Sequence, residues 1–145
     1  MEAYPVTDLA DYLRGRWQLH REIVDTDGAA LGAFSGTAAF TLDEQNLTYA
    51  EQGTLDLGTY RGPARRELRY HITGPGQAAV YFDYGDFFHD LDLREGNWQA
   101  RHPCRDDVYA GWFHVRGPHE WQQHWNVAGP TKNHALTTVF RREHD

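Results

Sequence analysis

From Arg16 onward the chain alternates apolar and polar residues with a period of two, interrupted by short clusters of Gly, Asp, Asn and Pro. Trp17, Leu19, Arg21 and Ile23 share one face of the first run and Arg16, Gln18, His20 and Glu22 the other, which predicts a half-buried strand over Arg16 to Val24. Asp25-Thr26-Asp27-Gly28 then reads as a turn. The next strand runs from Ala30 to Leu42 and returns through Asp43 to Asn46 as Leu47 to Glu51, with Leu47, Tyr49 and Glu51 on the face of Phe40 and Leu42. A Gly-rich stretch, Gly53 to Pro63, precedes Arg66 to Thr73, where Leu68, Tyr70 and Ile72 alternate with charge. Only one segment reads as helix: Thr7 can cap it, Leu9, Ala10, Tyr12 and Leu13 recur at helical spacing, and Gly15 stops it.

The second half is patterned in the same way. Ala78 to Tyr84 turns through Gly85-Asp86 into Phe87 to Leu93, which sets Phe82 opposite His89 and Val80 opposite Leu91. Folding Phe87 to Leu93 back through Arg94 to Asn97 sets Leu93 opposite Trp98, Leu91 opposite Ala100 and His89 opposite His102. Asp90 beside Arg101 and Asp92 beside Gln99 fall on the other face, so the two imidazoles belong to the apolar side. A tight turn at Arg105-Asp106 pairs His102 with Tyr109 and Trp98 with Phe113, and strands over Glu120 to Val127 and Ala135 to Arg141 complete the chain. The expected fold is all-β: a closed antiparallel up-and-down barrel of roughly 8 to 10 strands with a short N-terminal helix over one end, in one domain spanning residues 1–145. Such a barrel is wide enough for one small ligand.

Composition narrows the function classes. With 21 acidic and 14 basic residues the net charge is -7, and the basic residues are scattered, which disfavours nucleic acid as a partner. The lone Cys104 allows no internal disulfide, the first nine residues do not resemble a secretory signal, and no run approaches the roughly 18 apolar residues of a membrane helix. The expected setting is the cytoplasm, with a small molecule as partner, no membrane, and room for a homodimer. Five Trp and eight Tyr suit a chain that lines a cavity as well as filling a core.

The predicted inward set holds Arg21, Tyr49, Glu51, Tyr70, Tyr84, His89, His102, Cys104, Tyr109, Gln123 and Thr138 among Trp, Phe and Leu. Each such group left unpaired would cost about 1 to 3 kcal/mol, so they must bond to one another, to water or to a ligand. An internal network, Arg21 with Glu51 and His102 with Tyr109, is one outcome. A ligand pocket lined by Arg21, Glu51, Tyr70, Tyr84, His89, His102, Tyr109, Trp121, Gln123 and Trp125 is the other. Two imidazoles in low dielectric cannot both be charged easily, so His89 and His102, with Tyr109 or Tyr84 as an oxyanion donor and Arg21 holding a carboxylate or enolate, could also run the acid–base chemistry of an isomerase, cyclase or decarboxylase. A zinc or iron site would need a third ligand beside the two histidines, and haem an axial His89, His102 or His134. No phosphate loop, dinucleotide fingerprint or Ser-His-Asp signature is present. The loop Gly129 to Asn133 reads as a hairpin connection in which Lys132 could attract an anion.

Gly15-Arg16-Trp17 at the start of the first strand, with Arg141 and Arg142 at the end of the last, resembles the calycin pattern of lipocalins and their relatives, in which an Arg packs across the Trp that closes the barrel. Phe88-His89-x-Leu91-x-Leu93, His102-x-Cys104-x-x-Asp107-x-Tyr109-x-Gly111 and Trp121-x-x-x-Trp125-x-Val127-x-Gly129-Pro130-x-Lys132 resemble, over nearly the whole chain, an uncharacterised family of small single-domain proteins with a calycin-like barrel. The resemblance implies a fold. Calycins include fatty-acid carriers, haem-binding nitrobindin-like proteins and phenolic acid decarboxylases, and fold alone does not choose among them.

Overall fold

A computed structural model describes residues 2–104, 106–130 and 133–143; the Cys104 side chain, Arg105, Thr131 and Lys132 lie outside that description. The period-two pattern becomes ten strands: β1 (Gly15–Asp25), β2 (Ala30–Asp43), β3 (Asn46–Asp56), β4 (Arg61–Gly74), β5 (Gln77–Phe82), β6 (Phe87–Asp92), β7 (Asn97–Cys104), β8 (Asp107–Gly117), β9 (Glu120–Ala128) and β10 (Asn133–Arg142). They form one antiparallel sheet in the order β6-β5-β4-β3-β2-β1-β10-β9-β8-β7. Pairing of β1 with β10, Leu19 opposite Phe140 and Arg21 opposite Thr138, joins the two ends of the chain and curls the sheet into a nearly closed up-and-down barrel. The one unladdered junction lies between β6 and β7.

The helix α1 (Leu9–Leu13) covers one end. Its cap is Asp8 rather than the expected Thr7: the Asp8 residue is extended, and its carboxylate accepts from the Asp11 N–H at 3.1 Å. Leu9 and Leu13 are fully buried over Trp17, and the Arg142 guanidinium lies 4.1 Å from the Trp17 ring while donating to the Tyr12 carbonyl at 2.6 Å. One arginine thus ties the helix to the first and last strands. Arg141 points away and pairs with Glu120 at 3.1 Å. Trp17, Leu47, Val80, Leu93, Val115, Trp121 and Phe140 are 0 % exposed at this end. Full burial of each such side chain is worth about 1.5 to 3 kcal/mol, so the sealed end dominates the stability of the barrel.

Several pairings follow the sequence: Phe40 opposite Tyr49, His102 opposite Tyr109, and Trp98 opposite Phe113. Others do not. The stretch expected to interrupt the sheet at Gly53 to Pro63 is largely laddered, with Gly53 opposite Ala64 and Thr54 opposite Pro63. Gly36 faces Gly53 there, and a Cβ on Gly36 would come 2.1 Å from the Gln52 carbonyl oxygen, so the backbones touch where no side chain fits. Val80, not Phe82, lies opposite His89, because the β5–β6 turn is longer than two residues: Phe82 N–H donates to Asp86 and Gly85 N–H to Phe82, with Gly85 at φ 101. The same turn carries Tyr84 out of the barrel, where it is 71 % exposed rather than inward.

The expected β6–β7 ladder is also absent, although the faces are right: His89, Leu91, Leu93 and Ala100 are buried while Asp90, Gln99 and Arg101 are exposed. Gly96 N–H closes the turn onto Leu93, and the N-terminal segment bonds beside that turn, Val6 N–H to Leu93 and Tyr4 N–H to Val115, but no backbone ladder continues between the two strands. Among the described residues no helix is long and apolar enough to cross a membrane.

Candidate functional site

Burial fades along most strands toward the end opposite α1, although Val127 stays buried there and Trp98 at the α1 end is half-buried. In β1 the inward side chains run from Trp17 and Leu19, buried, to Arg21 and Ile23, partly exposed; in β10 they run from Phe140 and Thr138 to Leu136. Leu55, Ala64, Phe82, His102, Tyr109 and Trp125 sit at matching inward positions of their strands and all keep solvent contact. Inward side chains that water reaches define an open mouth, here with predominantly apolar walls.

An aromatic column stands in that mouth. Where Tyr81 pairs with Phe87 but Val80 with His89, Phe88 is the extra residue of a β-bulge. The bulge turns Phe88 inward between Phe82, 4.5 Å away and inclined by 19°, and Trp125, 5.0 Å away and inclined by 21°. Tyr84 stacks on the outer side of Phe82 at 5.3 Å. His102 meets Phe82 and Phe88 edge-on at 5.8 and 5.3 Å and Tyr109 at 6.0 Å. Phe88 was not legible as a site residue, since strict alternation with His89 would send one of the two outward.

His89 and His102 therefore meet around Phe88 rather than as ladder partners. His89 is 3 % exposed, packed against Phe113 and Trp125 at 5.3 Å each. Its Nδ1 lies 2.8 Å from the Asp90 carbonyl, which can only accept, so Nδ1 carries the proton and Nε2 has the lone pair. Burial pushes its pKa down to about 4, against the opposing pull of the Asp90 carbonyl, and holds the ring neutral. Among the described residues no three His, Cys, Asp or Glu side chains are grouped to hold a metal ion.

Below the opposite wall lies a charged network. Arg21 donates from Nη1 to Glu51 Oε2 at 2.8 Å, from Nη2 to Glu51 Oε1 at 2.9 Å and from Nε to Thr138 at 2.9 Å. Tyr49 donates its hydroxyl to Glu51 Oε1 at 2.5 Å, and Arg66, missed in the sequence, reaches the same oxygen at 3.4 Å. Burial alone would raise the Glu51 pKa, but the Arg21 bonds and the Arg66 charge outweigh it and hold the carboxyl at about 2. For Arg21 burial works against the charge, and the bonds to Glu51 win and raise its pKa. The Arg21–Glu51 pairing is the one expected from the sequence. Thr138 lies opposite Gln123, whose side-chain oxygen accepts from Trp125 Nε1 at 3.0 Å, which links the network to the aromatic wall.

Arg21, Glu51, His102, Tyr109, Gln123 and Trp125 are thus gathered at or just below the mouth, with His89 behind Phe88. Tyr70 and Trp121 are not: both lie in the sealed core at 1 % and 0 % exposure, Trp121 stacked on Phe140 at 4.1 Å.

Solved structures share this architecture. An S-type phycobiliprotein lyase, CPES, from Guillardia theta aligns over 98 % of this chain and 94 % of its own with a TM-score of 0.74 at 9 % identity. A protein of unknown function from the DUF3598 family of Nostoc punctiforme aligns over 97 % of this chain at 13 % identity with a TM-score of 0.64, and this chain spans 51 % of it. A β-barrel bound to DFHBI, EF1p2_mFAP2b, aligns over 95 % of this chain and 99 % of its own at 14 % identity with a TM-score of 0.53. At these identities the likeness is one of fold. No curated protein matches the sequence. Residues 13–142 match the model of DUF6314, a family of unknown function, and the chain belongs to that family.

Proposed function

We propose that the protein is a calycin-like, single-domain barrel that binds one small, partly aromatic molecule in its open end, against Trp125, His102 and Tyr109. The observation that carries this reading is the gradient of burial: on β1, β3, β4, β5, β8 and β10 inward side chains are sealed toward the α1 end and accessible toward the other. A barrel evolved only for stability would fill both ends, because each accessible inward aromatic forgoes part of the burial energy it could supply. Among the similar structures, one bound to DFHBI supports the use of this fold for a small-molecule guest. The neutral, enclosed His89 acts in this account as a wall-stiffening group, and His102 as the imidazole that faces the guest.

The test is titration with 8-anilinonaphthalene-1-sulfonate at neutral pH. The wild type should show saturable one-site fluorescence enhancement, and Ala64→Phe, which fills the mouth from β4, should abolish it while the protein stays folded by circular dichroism. Retained dye binding in that variant would place the dye elsewhere and overturn the reading.

A further inference from the structure

Below the rim, the charged inward side chains among the described residues are Arg21, Arg66 and Glu51, which leaves one positive charge inside the barrel of a chain whose net charge is -7. Glu51 has its hydrogen bonds without the second arginine, which adds its charge and one long contact. Its Oε2 is taken by Arg21, and its Oε1 by Arg21 and Tyr49, so Arg66 at 3.4 Å adds a long contact to an acceptor already satisfied. Arg21 is spent: its three nitrogens are all engaged and its side chain is 11 % exposed. Arg66 differs, with a side chain 46 % exposed and one long bond for its five N–H donors. Setting a second guanidinium beside a pair that is already neutral costs repulsion from Arg21 unless a further anion arrives.

We propose that the mouth selects an anionic ligand, whose carboxylate is held by the Arg66 guanidinium while its aromatic body lies against Trp125 and His102; this rests on the mouth being a binding site. A guanidinium matches a planar carboxylate with two parallel bonds, and Arg21–Glu51 shows that geometry one residue deeper. Two of the carboxylates at the rim do not compete freely: Asp25 accepts from Asp27 and Ala29 in its own turn, and Asp107 has a partner.

The experiment compares 2-naphthoate with its uncharged isostere 2-naphthamide by quenching of tryptophan fluorescence, on wild type, Arg66→Gln, Arg66→Lys and, as a control, Arg65→Gln on the outer face. The wild type and Arg65→Gln should prefer the acid about tenfold, a typical margin for a charge-assisted bidentate contact. Arg66→Gln should lose that preference while binding the amide as the wild type does, and Arg66→Lys should keep part of it. Equal binding of acid and amide by the wild type, or a preference that survives Arg66→Gln, would overturn the proposal and leave the mouth a neutral site. Binding of neither probe would overturn the mouth as a site for planar aromatic molecules, and the selectivity with it.

Discussion

Trp98 donates its indole N–H to the Asp90 carbonyl at 2.7 Å, across the one junction of the barrel that has no backbone ladder. The same carbonyl accepts from His89 Nδ1 at 2.8 Å. An edge strand would normally leave that oxygen to water or to another chain, and here two side chains satisfy it. Trp98→Phe keeps most of the ring and removes the donor. It should lower stability by about 1 kcal/mol in urea and speed amide exchange in β6 and β7 more than in β2 and β3. Unchanged exchange would show that the seam is held by packing alone.

The buried ion pair predicts an asymmetry. Glu51→Ala strands Arg21 without its carboxylate and should cost about 3 to 5 kcal/mol, whereas the double variant Arg21→Met with Glu51→Leu should recover part of that loss, the buried Tyr49 hydroxyl still lacking its acceptor. Urea midpoints of the three proteins measure it. A double variant as damaged as Glu51→Ala would mean that the pair shapes the barrel beyond its charge balance.

Acid sensitivity should come in two steps. The folded pKa of His89, about 4, lies below its ordinary 6.5, so the unfolded chain binds the proton first. Its contribution is complete above pH 6.5 and is lost as pH falls toward 4, by about 3 kcal/mol. Glu51, held at about 2 against 4.5, acts by the same sign over the lower window from 4.5 to 2. His89→Asn, whose amide can take the place of Nδ1–H, should flatten the first step of stability against pH and leave the second.

Where Gly36 and Gly53 face each other, sterics decide. Gly36→Ala would put a Cβ within 2.1 Å of a backbone oxygen that no rotamer can move, and should destabilise by more than about 2 kcal/mol in thermal or urea unfolding. A neutral effect would mean that β2 and β3 can separate there without loss.

The strands, their inward faces and the Arg21–Glu51 pair were legible because period-two alternation reports burial directly and opposite charges on facing strands seek each other. Trp98 opposite Phe113 and His102 opposite Tyr109 followed from a short turn. What the alternation could not show is where it breaks. Phe88 faces inward through a bulge, Tyr84 leaves through a longer turn, and β6 and β7 share no ladder; each is a local backbone choice that alternation does not encode. Arg66 was passed over because it heads a run of charge, and only the third dimension shows it beside Glu51.

Whether the end of the barrel opposite α1 takes a ligand can be read from a methyl and indole NMR titration with 2-naphthoate. Binding there shifts Leu55, Trp125 and Leu136 and leaves Leu13, Leu47 and Val115 at the sealed end unmoved. Shifts confined to Thr37 and Thr54 in the outer groove, or none at all, would show that the open end is not the site.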